Sequence, residues 1–400
     1  MSIYRRSAYV LGGLLVVAVI LGGVHLWRRM DAQAIRRMSA YASFVIGQVW
    51  DTRVSAALGK PLEETNCPPP PERHPYRSSY LGPMVDTHVH MAPIPDGPVA
   101  SDELRPTLGV NLTIADYVCM MDTEGTSKAF TFFPVWEPII SESVDVVDKT
   151  MERYPDRFVP FLMPPDRDDR PDGFPTVTAD ILSNMLKVVP GLFKGYGEIG
   201  LYARGDHGGP TGAPELPPDS SRLLAIYPVV RKDKLLVYFH LGQGQQESFE
   251  KVLSANPDIN FIWHGDQLIP YGEGGKQNLS HIAEILERHP NAYYGVDELY
   301  GDVWLLRHDI PKEKFFTHLE KYEPLLKKDL ATWKDFIEAH PDQVLWGTDR
   351  GGSALWSLDL DVAIALNDYT RAFIGRLDPS VQEKYAHKNA ERLIGTSEEE

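Results

Sequence analysis

The chain has 400 residues, 43% of them apolar and 24% charged, an ordinary globular usage that excludes a disordered or collagen-like protein. Its net charge is −16, and because residues 1–40 hold six Arg against one Asp, residues 41–400 carry −21. A body that acidic repels a phosphate backbone, so no nucleic-acid partner is expected.

Ala8 to Trp27 holds 20 residues without a formal charge. At about 1.5 Å rise per residue such a helix is about 30 Å long, the thickness of a bilayer's hydrocarbon core. Trp27, Arg28 and Arg29 close the run as an interfacial aromatic with snorkelling cations would. A cleaved signal peptide is the alternative, but the run exceeds the usual apolar length of about 7–15 residues. A retained single-pass anchor with the lipid bilayer as partner is therefore expected for residues 1–30. Arg5 and Arg6 precede the span, while Arg28, Arg29, Arg36 and Arg37 follow it, so charge does not set the orientation. The periplasmic or extracellular side is the default expectation for the rest of the chain. Residues 31–83 read as a juxtamembrane helix (31–57) followed by a Pro-rich spacer (61–83). Two cysteines, Cys67 and Cys119, are too few for a disulfide framework and do not report the redox compartment.

From residue 84 onward, β-rich runs alternate with helical patterns. The expected strands are 84–90, 129–135, 157–163, 192–200, 235–240, 259–264, 292–297 and 343–349. The helices between them fall at 114–125, 143–154, 179–188, 220–230, 246–255, 279–289 and 333–340, and 360–377 closes the chain. Eight strand–helix units imply a parallel sheet, and over residues 84–400 they fit a (β/α)8 TIM barrel in the α/β class. An open doubly wound sheet is the runner-up. It would normally advertise a Gly-rich phosphate turn after its first strand, and HVHMAPIP contains no glycine.

Function in such a barrel sits at the C-terminal ends of the strands. Strand 1 ends in Asp86-Thr87-His88-Val89-His90, strand 4 near Glu198, strand 5 in His240, strand 6 in His264 and strand 8 in Asp349. Four imidazoles and two carboxylates thus converge on one mouth, the donor types that hold a divalent transition ion. Side chains alternate along a strand, so His88 and His90 share a face. The same count places Asp86 inward with them, and puts Lys194 and Tyr196 on the face of Glu198. Trp263 and Trp346 point the other way, into the layer between barrel and helices. His281, His289, His308, His318, His340 and His387 fall on helices or loops and read as surface or capping residues.

D-T-H-V-H after strand 1, single histidines after strands 5 and 6 and an Asp after strand 8 resemble the amidohydrolase superfamily, over roughly residues 84–396. YPDRFVPF (154–161), AIYPVVRKDKLLVYFHLG (225–242) and YAHKNAERLIG (385–395) resemble its amidohydrolase-2, or amidohydrolase-related, branch. The resemblance implies that His88, His90 and Asp349 hold one ion, and that His240 and His264 hold a second with Glu198 spanning both. With one ion, His264 is left to polarise the substrate. Zn²⁺ suits these donors, with Mn²⁺ or Fe²⁺ as alternatives.

The implied enzyme is a membrane-anchored metal-dependent hydrolase of a small amide, ester, lactone or phosphoester. Asp349 and His264 would be its catalytic residues, with Asp349 taking the proton of the attacking water. Arg350 is a candidate anion-binding group, or else an ion-pair partner of Asp266 or Asp297. Asp297-Glu298-Leu299-Tyr300 after strand 7 is expected to line the mouth, with Tyr300 a candidate substrate contact, and the Gly- and Pro-rich stretch 202–218 is a candidate lid. The competing functions are a metal-dependent decarboxylase on the same barrel and a non-catalytic membrane-tethered binding protein.

Overall fold

The structure is a computed structural model. It describes residues 62–69, 76, 78–91, 113–135, 137–164, 174–202, 215–242, 244–265, 279–297, 299, 310–350 and 359–395. The expected span at 8–27, the juxtamembrane helix, Asp266, Tyr300 and most of the 202–218 stretch lie outside these residues. Among the described residues, no helix is long and apolar enough to cross a membrane.

Eight parallel strands pair in chain order: β1 (Met84–His90), β2 (Thr126–Pro134), β3 (Phe158–Met163), β4 (Gly195–Gly200), β5 (Leu236–His240), β6 (Phe261–Trp263), β7 (Ala292–Val296) and β8 (Val344–Trp346). The circle nearly closes. Val89 bridges Arg350 just past β8, where the His90 amide donates to the Arg350 carbonyl at 2.6 Å. The connecting helices are α1 (Ile114–Glu124), α2 (Ile140–Arg153), α3 (Ala179–Val188), α4 (Ser221–Asp233), α5 (Gln246–Ala255) and α6 (Leu279–Arg288). Two helices, α7 (Lys312–Leu319) and α8 (Tyr322–Ala339), link β7 to β8, and α9 (Leu360–Ile374) follows. The helical pattern in the sequence marked only the last part of α8 and missed α7.

Helix starts are written locally. Thr113 and Asp116 form a reciprocal capping box on α1, and Thr178, Ser220 and Asp359 cap α3, α4 and α9 with side-chain oxygens. Each cap satisfies an amide that has no partner within its helix.

Two apolar layers follow from the strand alternation. Val85, Phe130, Phe132, Phe161, Leu236, Tyr238, Ile262 and Leu345 fill the barrel. Met84, Val89, Tyr196, Ile199, Val237, Phe239, Trp263, Tyr294 and Trp346 face the helices. Both tryptophans thus occupy the barrel-to-helix layer, as expected.

Two strands break the count. In β1 the outward residues change from even Met84 to odd Val89 and Met91, with a register shift between Asp86 and Val89. In β4 they change from Tyr196 to Ile199, again with a shift between them. An inserted residue moves everything after it to the other face. The same-face readings of Asp86 with His88, and of Lys194 and Tyr196 with Glu198, are therefore wrong. Tyr196 is buried among the helices and bonds the Thr176 hydroxyl, and the exposed Lys194 ammonium donates to the Gly191 carbonyl at 3.0 Å.

A disulfide joins Cys67 to Cys119, tying the segment before the barrel to α1 across 52 positions. The sequence offered no signal for this pairing.

Candidate metal centre

The two register shifts aim His88, His90 and Glu198 into the barrel, above the apolar filling. His240, His264 and Asp349 arrive there by unbroken alternation beyond Tyr238, Ile262 and Leu345. All six residues anticipated from the strand ends meet in one cluster.

The distances are specific. His88 Nε2 lies 3.1 Å from His90 Nε2, 3.4 Å from Glu198 Oε2 and 3.4 Å from Asp349 Oδ1. His90 Nε2 lies 3.3 Å from Glu198 Oε2 and 3.1 Å from Asp349 Oδ1. An ion bound tetrahedrally at about 2.0–2.1 Å from nitrogen and oxygen donors sets those donors about 3.3–3.4 Å apart. The five separations lie near that spacing: His88, His90 and Asp349 form one donor group with Glu198 Oε2 beside both histidines, and the donor set fits the metal that the fold implies. Glu198 also reaches the other way. Its Oε1 sits 2.9 Å from His240 Nδ1, and Glu198, His240 and His264 form a second donor group.

Electrostatics point the same way. Burial pushes the Glu198 carboxyl up, but the hydrogen bond with His240, the charge of His264 and the bonds with His88 and His90 hold it well below its ordinary range. Burial likewise raises Asp349, and the charges of His88 and His264 with the His90 bond bring it down. Burial lowers His88 and His90, yet the facing carboxylates raise both, His88 strongly. The carboxylates stay ionised and attract positive charge.

Asp349 is presented by a strained turn. Its φ is +49°, in the left-handed region, where a non-glycine residue costs of order 1–3 kcal/mol. Asp86 holds that turn from the outer side. Its oxygens accept from the Thr348 amide at 3.0 Å and the Thr348 hydroxyl at 2.7 Å. Asp86 thus supports the residue beside Asp349 rather than joining the cluster. Burial raises its carboxyl to about 7, against the opposing charge of Arg350.

Arg350 finds neither an open mouth nor Asp297. Its guanidinium is 5% exposed and forks onto Glu124 at the end of α1, at 2.6 and 3.2 Å. That geometry makes it a buried structural pair rather than an anion receptor. Asp297 instead enters the site, 3.3 Å from both His88 Nδ1 and His264 Nε2. The sequence did hold a signal for it, since Tyr293, Gly295 and Asp297 alternate on the inner face of β7.

The amidohydrolase family model, Amidohydro_2, matches residues 85–396. The chain belongs to this family. It is accordingly a metal-dependent enzyme of the amidohydrolase type. No curated protein matches it. Among solved structures it is similar to an amidohydrolase from Burkholderia multivorans with bound zinc, at 11% identity and TM-score 0.49, over 78% of this chain and 99% of that one. It is also similar to a dihydroxybenzoic acid decarboxylase from Polaromonas with bound manganese and 2-nitroresorcinol, at 12% and 0.43, over 78% and 96%. A third is a probable 2-pyrone-4,6-dicarboxylic acid hydrolase from Acinetobacter baumannii with citric acid bound, at 11% and 0.48, over 78% and 99%.

Proposed function

We propose that this amidohydrolase is a hydrolase acting on a small amide, ester, lactone or phosphoester. The observation that carries the reading is Glu198, whose two oxygens face two adjacent donor groups. His88, His90, Glu198 and Asp349 would hold one ion, and His240 and His264 would complete a second site with Glu198 between. A divalent ion in such a site supplies Lewis acidity, which brings a water's pKa from 15.7 to about 7 and polarises a carbonyl or phosphoryl oxygen. Zn²⁺ suits the imidazole and carboxylate donors best.

The chain's own groups divide the remaining work. Asp349 is the cluster carboxylate most open to the mouth, at 28% exposure against 14% for Glu198 and 0% for Asp297. Its Oδ2 lies 3.8 Å from His264 Nε2. Asp349 takes the proton of the attacking water and returns it to the leaving group. His264, nearly inaccessible at the back, orients the acceptor oxygen when it is not itself engaged as a ligand.

The sequence of residues 8–27 supports a bilayer anchor for this catalytic domain. The Cys67–Cys119 disulfide supports a location on the oxidising, periplasmic or extracellular side.

The test is elemental analysis of purified protein, followed by a screen of esters, amides, lactones and phosphodiesters. Near-stoichiometric metal is expected, and His88→Ala with His90→Ala should lose metal and turnover together. Wild-type metal content in that double variant would sink the reading. Carbon dioxide release from an aromatic acid, with no hydrolysis across the panel, would replace it with a decarboxylase.

A further inference from the structure

Asp297 is fully buried beneath the cluster, where it groups with His88 and His264 rather than with Glu198. Its Oδ2 lies 3.3 Å from His88 Nδ1, from His264 Nε2 and from the Tyr238 hydroxyl. Tyr238 in turn lies 3.2 Å from His88 Nδ1. The barrel is built around this carboxylate. A side chain at Gly347 would bring its Cβ within 2.2 Å of Asp297 Oδ1, and one at Gly295 within 3.2 Å of Oδ2. Two strands thus omit their inward side chains where Asp297 needs room.

We infer that Asp297 is a positioning residue that fixes the ring orientation and tautomer of His88. The Tyr238 hydroxyl donates to Asp297 Oδ2, and His88 Nδ1, facing the same oxygen, is assigned as its second donor. With the proton held on Nδ1, the Nε2 lone pair is left bare, aimed at the point shared with His90, Glu198 and Asp349. The same oxygen steadies the neighbouring His264 ring. A carboxylate behind a metal-binding histidine typically accounts for 10–100-fold in metal affinity. The inference rests on the metal-centre reading above.

Zinc affinity of the full chain, measured by competition with a chromogenic chelator, tests it. Asp297→Asn should bind zinc about 10-fold more weakly, and Asp297→Leu nearer 100-fold. A purely structural role would lower the melting temperature of both variants and leave affinity intact. Should either variant fail to fold, ¹⁵N-histidine NMR of the zinc-loaded wild type decides. His88 is expected with Nδ1 protonated and Nε2 on the metal, and the reverse assignment overturns the inference. Wild-type affinity in both folded variants also overturns it, while leaving the metal reading intact. Complete zinc loss in folded Asp297→Asn would make Asp297 a ligand and overturn the positioning role. A wild type that takes up no zinc would end both readings at once.

Discussion

Two clusters of buried charge lie on opposite faces of β1. Inside the mouth, Glu198, Asp297 and Asp349 stand among four imidazoles, with no lysine or arginine among the described residues paired to any of them. Outside, Glu124 holds Arg350 in a two-bond fork, and Asp86 lies within reach of the same positive charge. The outer cluster pairs its charges, with both terminal nitrogens of Arg350 on the Glu124 carboxylate. The inner one gathers imidazoles and carboxylates into adjacent donor groups. Burying charge is costly unless it is paired, so the two clusters report different functions. The outer cluster sets a cation against its carboxylates, and the inner one is arranged for a cation.

Making the same substitution in each cluster separates them most sharply. Glu124→Gln should strand Arg350 and cost about 3–5 kcal/mol of stability in denaturant unfolding, with metal content per folded molecule unchanged. Glu198→Gln should abolish turnover and metal binding, yet leave the chelator-treated protein at least as stable as chelator-treated wild type. A stability loss at Glu198 as large as that at Glu124 would erase the distinction.

The disulfide belongs to the outer side, since α1 carries both Cys119 and Glu124. Reduction should lower stability by about 2–4 kcal/mol, read as a fall in melting temperature with reductant. Metal affinity should barely change. Gly347→Ala should touch both quantities. Crowding Asp297 and the His88 Cβ costs about 1–3 kcal/mol, but its clearer sign should be weaker zinc binding.

The smallest effect isolates what burial alone does to an imidazole. His340 is buried against Phe336, with ring centroids 5.2 Å apart. Burial lowers its pKa from 6.5, with Glu287 opposing weakly, whereas carboxylates turn the shift upward at His88. A lowered folded pKa contributes stability present above the unfolded value and lost as pH falls through the folded one. Wild type should therefore lose slightly more stability below pH 6.5 than His340→Phe does. Equal pH slopes would contradict it. His340 reads from the sequence as a surface or capping residue; it does close α8, its amide donating to the Phe336 carbonyl, but its ring is buried, because a histidine closing a helix carries no mark of the packing beneath it.

Most of the architecture was legible in the chain. The alternation of β-rich and helical runs specifies a parallel barrel, and ligand types at five strand ends specify where its chemistry lies. These signals are local, since each depends on residues a few positions apart. Tertiary structure alone decided which faces those residues occupy where the period of two breaks. The shifts in β1 and β4 send Asp86 and Tyr196 outward and bring His88 and Glu198 in, and hydrogen bonds to neighbouring strands set those registers. It also decided the partners: Glu124 for Arg350 across 226 positions, Cys67 for Cys119 across 52, and Asp297 for His88 across 209. Such pairings come from packing in three dimensions, where proximity depends on how the strands close into a barrel rather than on spacing along the chain.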